Sequence, residues 1–245
     1  MTSDLRQIEA LFLVLCRKIL NQRGVSSSAI ADGELVYALE ALTIEAPKGI
    51  NTLFLSGISG VGKSTVALKL EKLGYKKVAN VTTRPRRSSE RAEDGIFISE
   101  NEFKHLETTN QLFYPHIRNG VWQAIMLSDI KRLIHSTELL YMDKSLASIA
   151  EILATYPELR SGTAYIYLLP PAIDILHQRI CTRESSLIEN SGMSNEAIMK
   201  RFEEEIDDMK YACKIKPVFI VNDQVKRVIA IIKSMYGVNL DGKGE

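Results

Sequence analysis

Residues 57–64 read Gly-Ile-Ser-Gly-Val-Gly-Lys-Ser, the pattern G-x-x-x-x-G-K-[ST]. These residue types at this spacing suit one kind of chemistry, the grip of a polyphosphate chain. Gly57, Gly60 and Gly62 let the backbone close around phosphate oxygens, because a residue without Cβ takes conformations barred to others. Ser59, Val61 and Thr65 complete the wrap, and the helix expected to follow adds its positive N-terminal end. Lys63 is expected to reach the β- and γ-phosphates, and Ser64 to ligate Mg²⁺ through its hydroxyl. ATP and Mg²⁺ are the donor and cofactor that this loop predicts.

Phosphoryl transfer also needs spread-out negative charge to be neutralised, which arginine forks do well. Arg84, Arg86 and Arg87 form one group; Arg179, Arg183 and Arg201 form another, flanking residues 184–194. That stretch holds Ser185, Ser186, Ser191 and Gly192 and reads as a mobile lid. Each arginine taken alone reads equally as a solvated surface charge. Trp122, the only tryptophan, either stacks on an acceptor ring or packs. His105, His116, His135 and His177 show no metal spacing and read as surface or packing residues, with His116 nearest the presumed acceptor pocket. The acidic residues within 203–208 read as a solvated helix face.

A frame must position these groups. The apolar run 52–56 predicts a strand before the loop, and 65–73 predicts a helix with Val66, Leu70 and Leu73 on one face and Gly74 at its stop. Further strands are expected at 76–81, 138–142, 164–169 and 218–221. Helices are expected at 100–107, 127–134, 146–153, 173–181, 195–210 and 225–235. This alternation predicts an α/β fold: a P-loop NTPase-type parallel sheet flanked by helices, with a lid segment, over residues 47–240. Residues 1–46 read as a separate helical extension. Leu5, Ile8, Phe12, Leu15 and Ile19 make one helical stripe, which Leu11, Leu13 and Val14 widen. After a polar break at 21–28, Asp32 is expected to cap a second helix carrying Leu35, Val36, Leu39 and Leu42. The pair either packs on the main domain or forms a homodimer or partner-binding surface.

The chain has 245 residues, 45% apolar and 25% charged, with a formal net charge of +1. That balance argues against wholesale binding to nucleic acid or an anionic membrane. Cys16, Cys181 and Cys213 are scattered without metal spacing, which suits a reduced, cytoplasmic setting. The apolar run 10–16 is too short to span a bilayer and lacks the flanks of a signal peptide.

From the phosphate loop onward, the chain resembles the guanylate kinase family over roughly residues 52–232. The resemblance rests on SGISGVGKST (56–65), VTTRPRR (81–87), FISENEF (97–103), LLPP (168–171), Met199-Lys200-Arg201-Phe202 and Val221-Asn222-Asp223. It implies that Arg84 and Arg87 grip the acceptor phosphate. Arg179, Arg183 and Arg201 would contact the transferring phosphates, Asn222 would belong to the adenine-holding turn, and Asp143 would touch the acceptor base.

The departures fall on the acceptor side. The family's D-x-D becomes Tyr141-Met142-Asp143, so the first acid, which helps organise the metal, is absent. Gly95 stands for a tyrosine, Tyr114 for the acid that reads guanine, and Asn80 for a serine. The acceptor motif G-N-Y-Y-G-[ST] becomes Gly120-Val121-Trp122-Gln123-Ala124-Ile125. Tyr114, Trp122 and Gln123 are therefore the expected acceptor contacts that have been remade. The leading expectation is a kinase that transfers the ATP γ-phosphate to a nucleoside monophosphate, GMP or another acceptor. The alternatives are a sugar-phosphate kinase akin to ribose bisphosphate phosphokinase, a non-catalytic peptide-binding module, and a regulatory NTPase.

Overall fold

The computed structural model describes residues 3–42, 50–88, 90–118, 120–172, 175, 178 and 195–236. In chain order the elements are α1 (Ser3–Gln22), α2 (Leu35–Glu40), β1 (Thr52–Gly57), α3 (Lys63–Lys72), β2 (Lys76–Lys77), β3 (Val81–Thr82), β4 (Ile96–Phe97) and α4 (Glu100–Thr108). They continue with β5 (Leu112–Arg118), β6 (Val121–Met126), α5 (Leu127–His135), β7 (Leu140–Asp143), α6 (Leu146–Thr155) and β8 (Thr163–Leu169). α7 (Asn195–Asp207), α8 (Ala212–Ile215), β9 (Val218–Val221) and α9 (Val225–Tyr236) complete them.

A run of apolar residues buried on both faces belongs inside a parallel sheet. β1, buried from Thr52 to Ser56, takes the central place in a five-stranded parallel sheet ordered β2-β7-β1-β8-β9. Thr52 lies opposite Leu140 on one side and Thr163 on the other. The phosphate loop therefore leaves the carboxyl end of the middle strand, where ligands of open α/β sheets bind.

A second sheet, ordered β4-β3-β6-β5, stands beside the first. The stretch 76–81, expected as one strand, is split between the two sheets. Lys76 and Lys77 pair with β7, whereas Val81 and Thr82 pair with β4 and β6. The β5–β6 hairpin was not expected from the sequence. The residues of β5 are half-buried or exposed, and its register with β6 shifts between Phe113 and His116, where Tyr114 takes φ 54°. A bulge of this kind breaks the period-two pattern by which strands are recognised.

α1 and α2 share one hydrophobic core with the main sheet. Ile8, Phe12, Cys16, Ile19, Leu35 and Leu39 lie in the same cluster as Phe54, Tyr167 and Phe219. Of the two expectations for this stripe, packing on the main domain is the one the core shows. The stripe is also narrower than expected, since Leu11 and Val14 are 37% and 60% exposed. Asp32 does not cap α2. It opens a 3-10 turn, Asp32–Glu34, and pairs with Arg17 at 2.6 Å. The charge on Arg17 draws the carboxylate away from the helix start. The expected helix 173–181 and the lid 184–194 lie outside the described residues, apart from 175 and 178. Among the described residues no helix is long and apolar enough to cross a membrane.

Candidate active site

The phosphate loop has the backbone that its glycines permit. Gly57, Gly60 and Gly62 take φ of 142°, 80° and 103°. A Cβ on Gly62 would lie 2.5 Å from Asn222 Nδ2, and one on Gly57 would lie 2.7 Å from the Leu168 carbonyl oxygen. Asn222, buried at the end of β9, donates from Nδ2 to the Val61 carbonyl at 2.7 Å. The side chain expected in an adenine-holding turn is thus committed to bracing the loop. Gly60, Gly62 and Thr65 still line an open cleft together with Asn222, Asp223 and Val225. Ile58 and Val61 are fully buried and anchor the loop's apolar side. Lys63 donates to the carbonyls of Gly57 and Ile58 at 2.7 and 3.2 Å, so its ammonium lies over the loop's mouth. Ser64 is exposed on the first turn of α3. The close glycine backbone and this free-standing hydroxyl suit a Mg²⁺-bound polyphosphate.

Arg84 and Arg87, the arginines expected at the acceptor phosphate, share a carboxylate that sequence reasoning missed. Arg84 meets Glu90 through two bonds of 2.8 Å, and the Arg87 N–H donates to the same carboxylate at 2.9 Å. The Arg84 guanidinium also lies 5.3 Å from the centre of the Phe97 ring. Burial pushes the Glu90 carboxyl up, but Arg84 and the Arg87 N–H outweigh it and leave it below its ordinary value. Arg201 is on α7, with its side chain outside the described residues; Arg179 and Arg183 also lie outside them.

β6 separates the two remade acceptor positions. Trp122 packs against Phe103 of α4, with ring centres 5.5 Å apart, in a small cluster with Val81 and Ala124. Strand alternation sends Gln123 to the other face. Trp122 therefore packs on the side away from Gln123, so these two expected acceptor contacts do not share a face. Gln123 lies opposite His116 in the register. The His116 ring sits 4.6 Å from that of Tyr114, and its Nδ1 shares a 2.8 Å bond with the Tyr114 carbonyl. At the end of β7, the Asp143 carbonyl accepts from Asn80 Nδ2 at 3.0 Å. The next residue, Lys144, is buried, and that burial pushes its ammonium down from 10.5 to about 7.

Tyr141, in the place of the missing acid, is buried and donates its hydroxyl to Glu71 at 2.6 Å. Arg91 meets the same carboxylate at 2.8 Å. The position thus links α3, β7 and the second sheet's approach. Two members of the acidic run are not solvated. Glu205 accepts the N–H of Ser59 in the phosphate loop. Asp208 accepts the N–H groups of Leu146 and Ala147 at 2.7 and 2.9 Å, at the start of α6. Neither contact is marked locally, because each joins residues far apart in the chain.

Comparisons with known proteins agree with this geometry. The guanylate kinase family profile matches residues 49–237. The chain is 28% identical to the guanylate kinase of Trichormus variabilis, over 79% of this chain and 92% of that protein. It is 26% identical to that of Lactobacillus acidophilus, over 78% and 89%. The crystal structure of guanylate kinase from Anaplasma phagocytophilum superposes with a TM-score of 0.55 at 19% identity, covering 80% of this chain and 90% of that one. The structural likeness concerns the fold.

Proposed function

Because the chain belongs to the guanylate kinase family, we propose that it transfers the γ-phosphate of ATP to GMP. It is an enzyme of the nucleoside monophosphate kinase class. The observation that carries this reading is the intact phosphate loop, braced by Asn222, in a chain that also holds an arginine pair gathered by Glu90. Backbone N–H groups of residues 57–65 would hold the donor phosphates, and Lys63 would swing from the loop carbonyls to the β- and γ-phosphates. Ser64 would hold Mg²⁺, which supplies neutralisation of phosphate charge. Arg84 and Arg87 would orient the acceptor phosphate, while Tyr114, Gln123 and Asp143 border the base. Arg179, Arg183 and Arg201 would close on the transferring group. Positioning and electrostatics suffice for this transfer, so no covalent protein intermediate is invoked. A cytoplasmic location fits the unpaired Cys16 and Cys213. The family match and the relatives favour neither a sugar-phosphate kinase nor a peptide-binding module.

The test is ADP release from Mg-ATP with and without GMP. Release that depends on GMP supports the proposal. ATP binding without GMP-dependent turnover rejects it.

A further inference from the structure

The acceptor side holds a lysine that the roles above do not use. Lys144 follows Asp143 at the carboxyl end of β7 and is only 6% exposed. Among the described residues its ammonium makes no hydrogen bond or ion pair. Asp143 is the neighbouring acid that favours its charge, while Arg118 of β5 adds like charge. Close by, Asn80 has its Nδ2 fixed on the Asp143 carbonyl, and its buried Oδ1 has no partner among the described residues. One unspent donor and one unspent acceptor therefore lie at the same end of β7. Buried polar groups of that kind are costly unless something completes them.

We propose that Lys144 reads the lactam edge of the acceptor's base, its ammonium donating to the ring carbonyl oxygen while Asn80 Oδ1 accepts from the adjacent ring N–H. This rests on the reading that a nucleoside monophosphate is the acceptor. The polarity selects the class of base. Guanine and hypoxanthine present a carbonyl next to an N–H. Adenine presents an amino group next to a bare ring nitrogen, so it would set donor against donor and acceptor against acceptor. A site that pairs buried polar groups with its substrate rejects the mismatched analogue strongly. In this chain Asn80 Oδ1 would accept the ring N–H that an acid accepts in the family pattern, and the Lys144 ammonium would add a donor to the neighbouring carbonyl.

The experiment measures kcat and KM with GMP, IMP and AMP for wild type, Lys144→Met and Lys144→Gln, with the KM for ATP and the melting temperature of each. We expect wild type to use GMP and IMP and to reject AMP by about 100-fold or more. K144M should raise the KM for GMP and IMP by about 10- to 100-fold. It should leave the KM for ATP within twofold and melt no lower than wild type. K144Q, which keeps a donor, should fall between. A KM for GMP unchanged in K144M overturns the role of Lys144 but leaves the kinase assignment standing. Efficient use of AMP by wild type overturns the lactam reading. Turnover with none of the three overturns the proposed function itself.

Discussion

On the proposed mechanism, Lys63 is the residue on which turnover depends most directly. Its ammonium already lies over the loop, bonded to the Gly57 and Ile58 carbonyls. Lys63→Ala should lower kcat by about 100-fold or more, the scale of losing one transition-state donor, with an unchanged circular dichroism spectrum. Full activity would remove this loop from the chemistry. Glu205 makes the opposite case, because its carboxylate holds the Ser59 N–H. A phosphate oxygen in the loop would compete for that donor and would meet a like charge. Glu205→Gln should therefore lower the KM for ATP several-fold, and a raised KM would mean that the carboxylate assists binding. Lys144 makes a pH-dependent prediction about stability. Its folded value, about 7, lies below the ordinary 10.5, so between these values the folded chain binds fewer protons than the unfolded one. Stability contributed at high pH is lost as the pH falls through that window, and the loss is complete below about 7. The advantage of K144M over wild type in urea melts should grow from pH 10 to pH 7 and level off below. An advantage independent of pH would show that the ammonium is not what burial penalises.

At the scale of elements, α2 is tied to the end of β9, and so to the turn beside the donor cleft. Glu40 accepts the Val221 N–H at 2.7 Å and pairs with Arg227. Arg227 also reaches the Val221 carbonyl at 3.1 Å and Asp223 at 3.4 Å. Asn222, which braces the phosphate loop, lies between those two residues. Glu40→Ala leaves a half-buried arginine and a main-chain N–H without their partner, and should cost about 1–3 kcal/mol of stability. It should also raise the KM for ATP more than that for GMP. An equal effect on both would place α2 outside the donor side. The β5–β6 hairpin is the counterpart on the proposed acceptor side, since its pleat puts Gln123 on the face away from the Trp122–Phe103 contact.

For the molecule as a whole, residues 1–42 are not an appendage in energetic terms. The family profile begins at residue 49, yet Phe12 and Leu39 are as deeply buried as Phe54. Arg23 carries the attachment further, with its guanidinium 5.4 Å from the Phe219 ring centre and bonds of 3.4 Å to the Ala212 and Pro217 carbonyls. Phe12→Ala should cost about 3–5 kcal/mol through lost transfer energy and the cavity left behind. Unfolding should remain a single transition when followed both by circular dichroism and by an active-site probe. Two separate transitions, with the kinase unfolding at its wild-type midpoint, would show the helices to be an independent unit.

The sequence by itself determined the features that depend on near neighbours. The phosphate loop was legible because Gly57, Gly60 and Gly62 must take positive φ, and that requirement is written into eight consecutive residues. β1, α3, β8 and β9 were legible because burial on both faces, or on one helical face, leaves a periodic apolar trace. Tertiary structure alone decided the rest. Residues 76–81 divide between two sheets because β2 ends at the edge of the first, so Val81 finds its partners in the second. Trp122 faces Phe103 because pairing with β3 sets the pleat of β6. Glu205 meets the phosphate loop, and Lys144 loses its water, across contacts between residues distant in the chain. Local periodicity records whether a side chain is buried; only the packed fold determines what it is buried against.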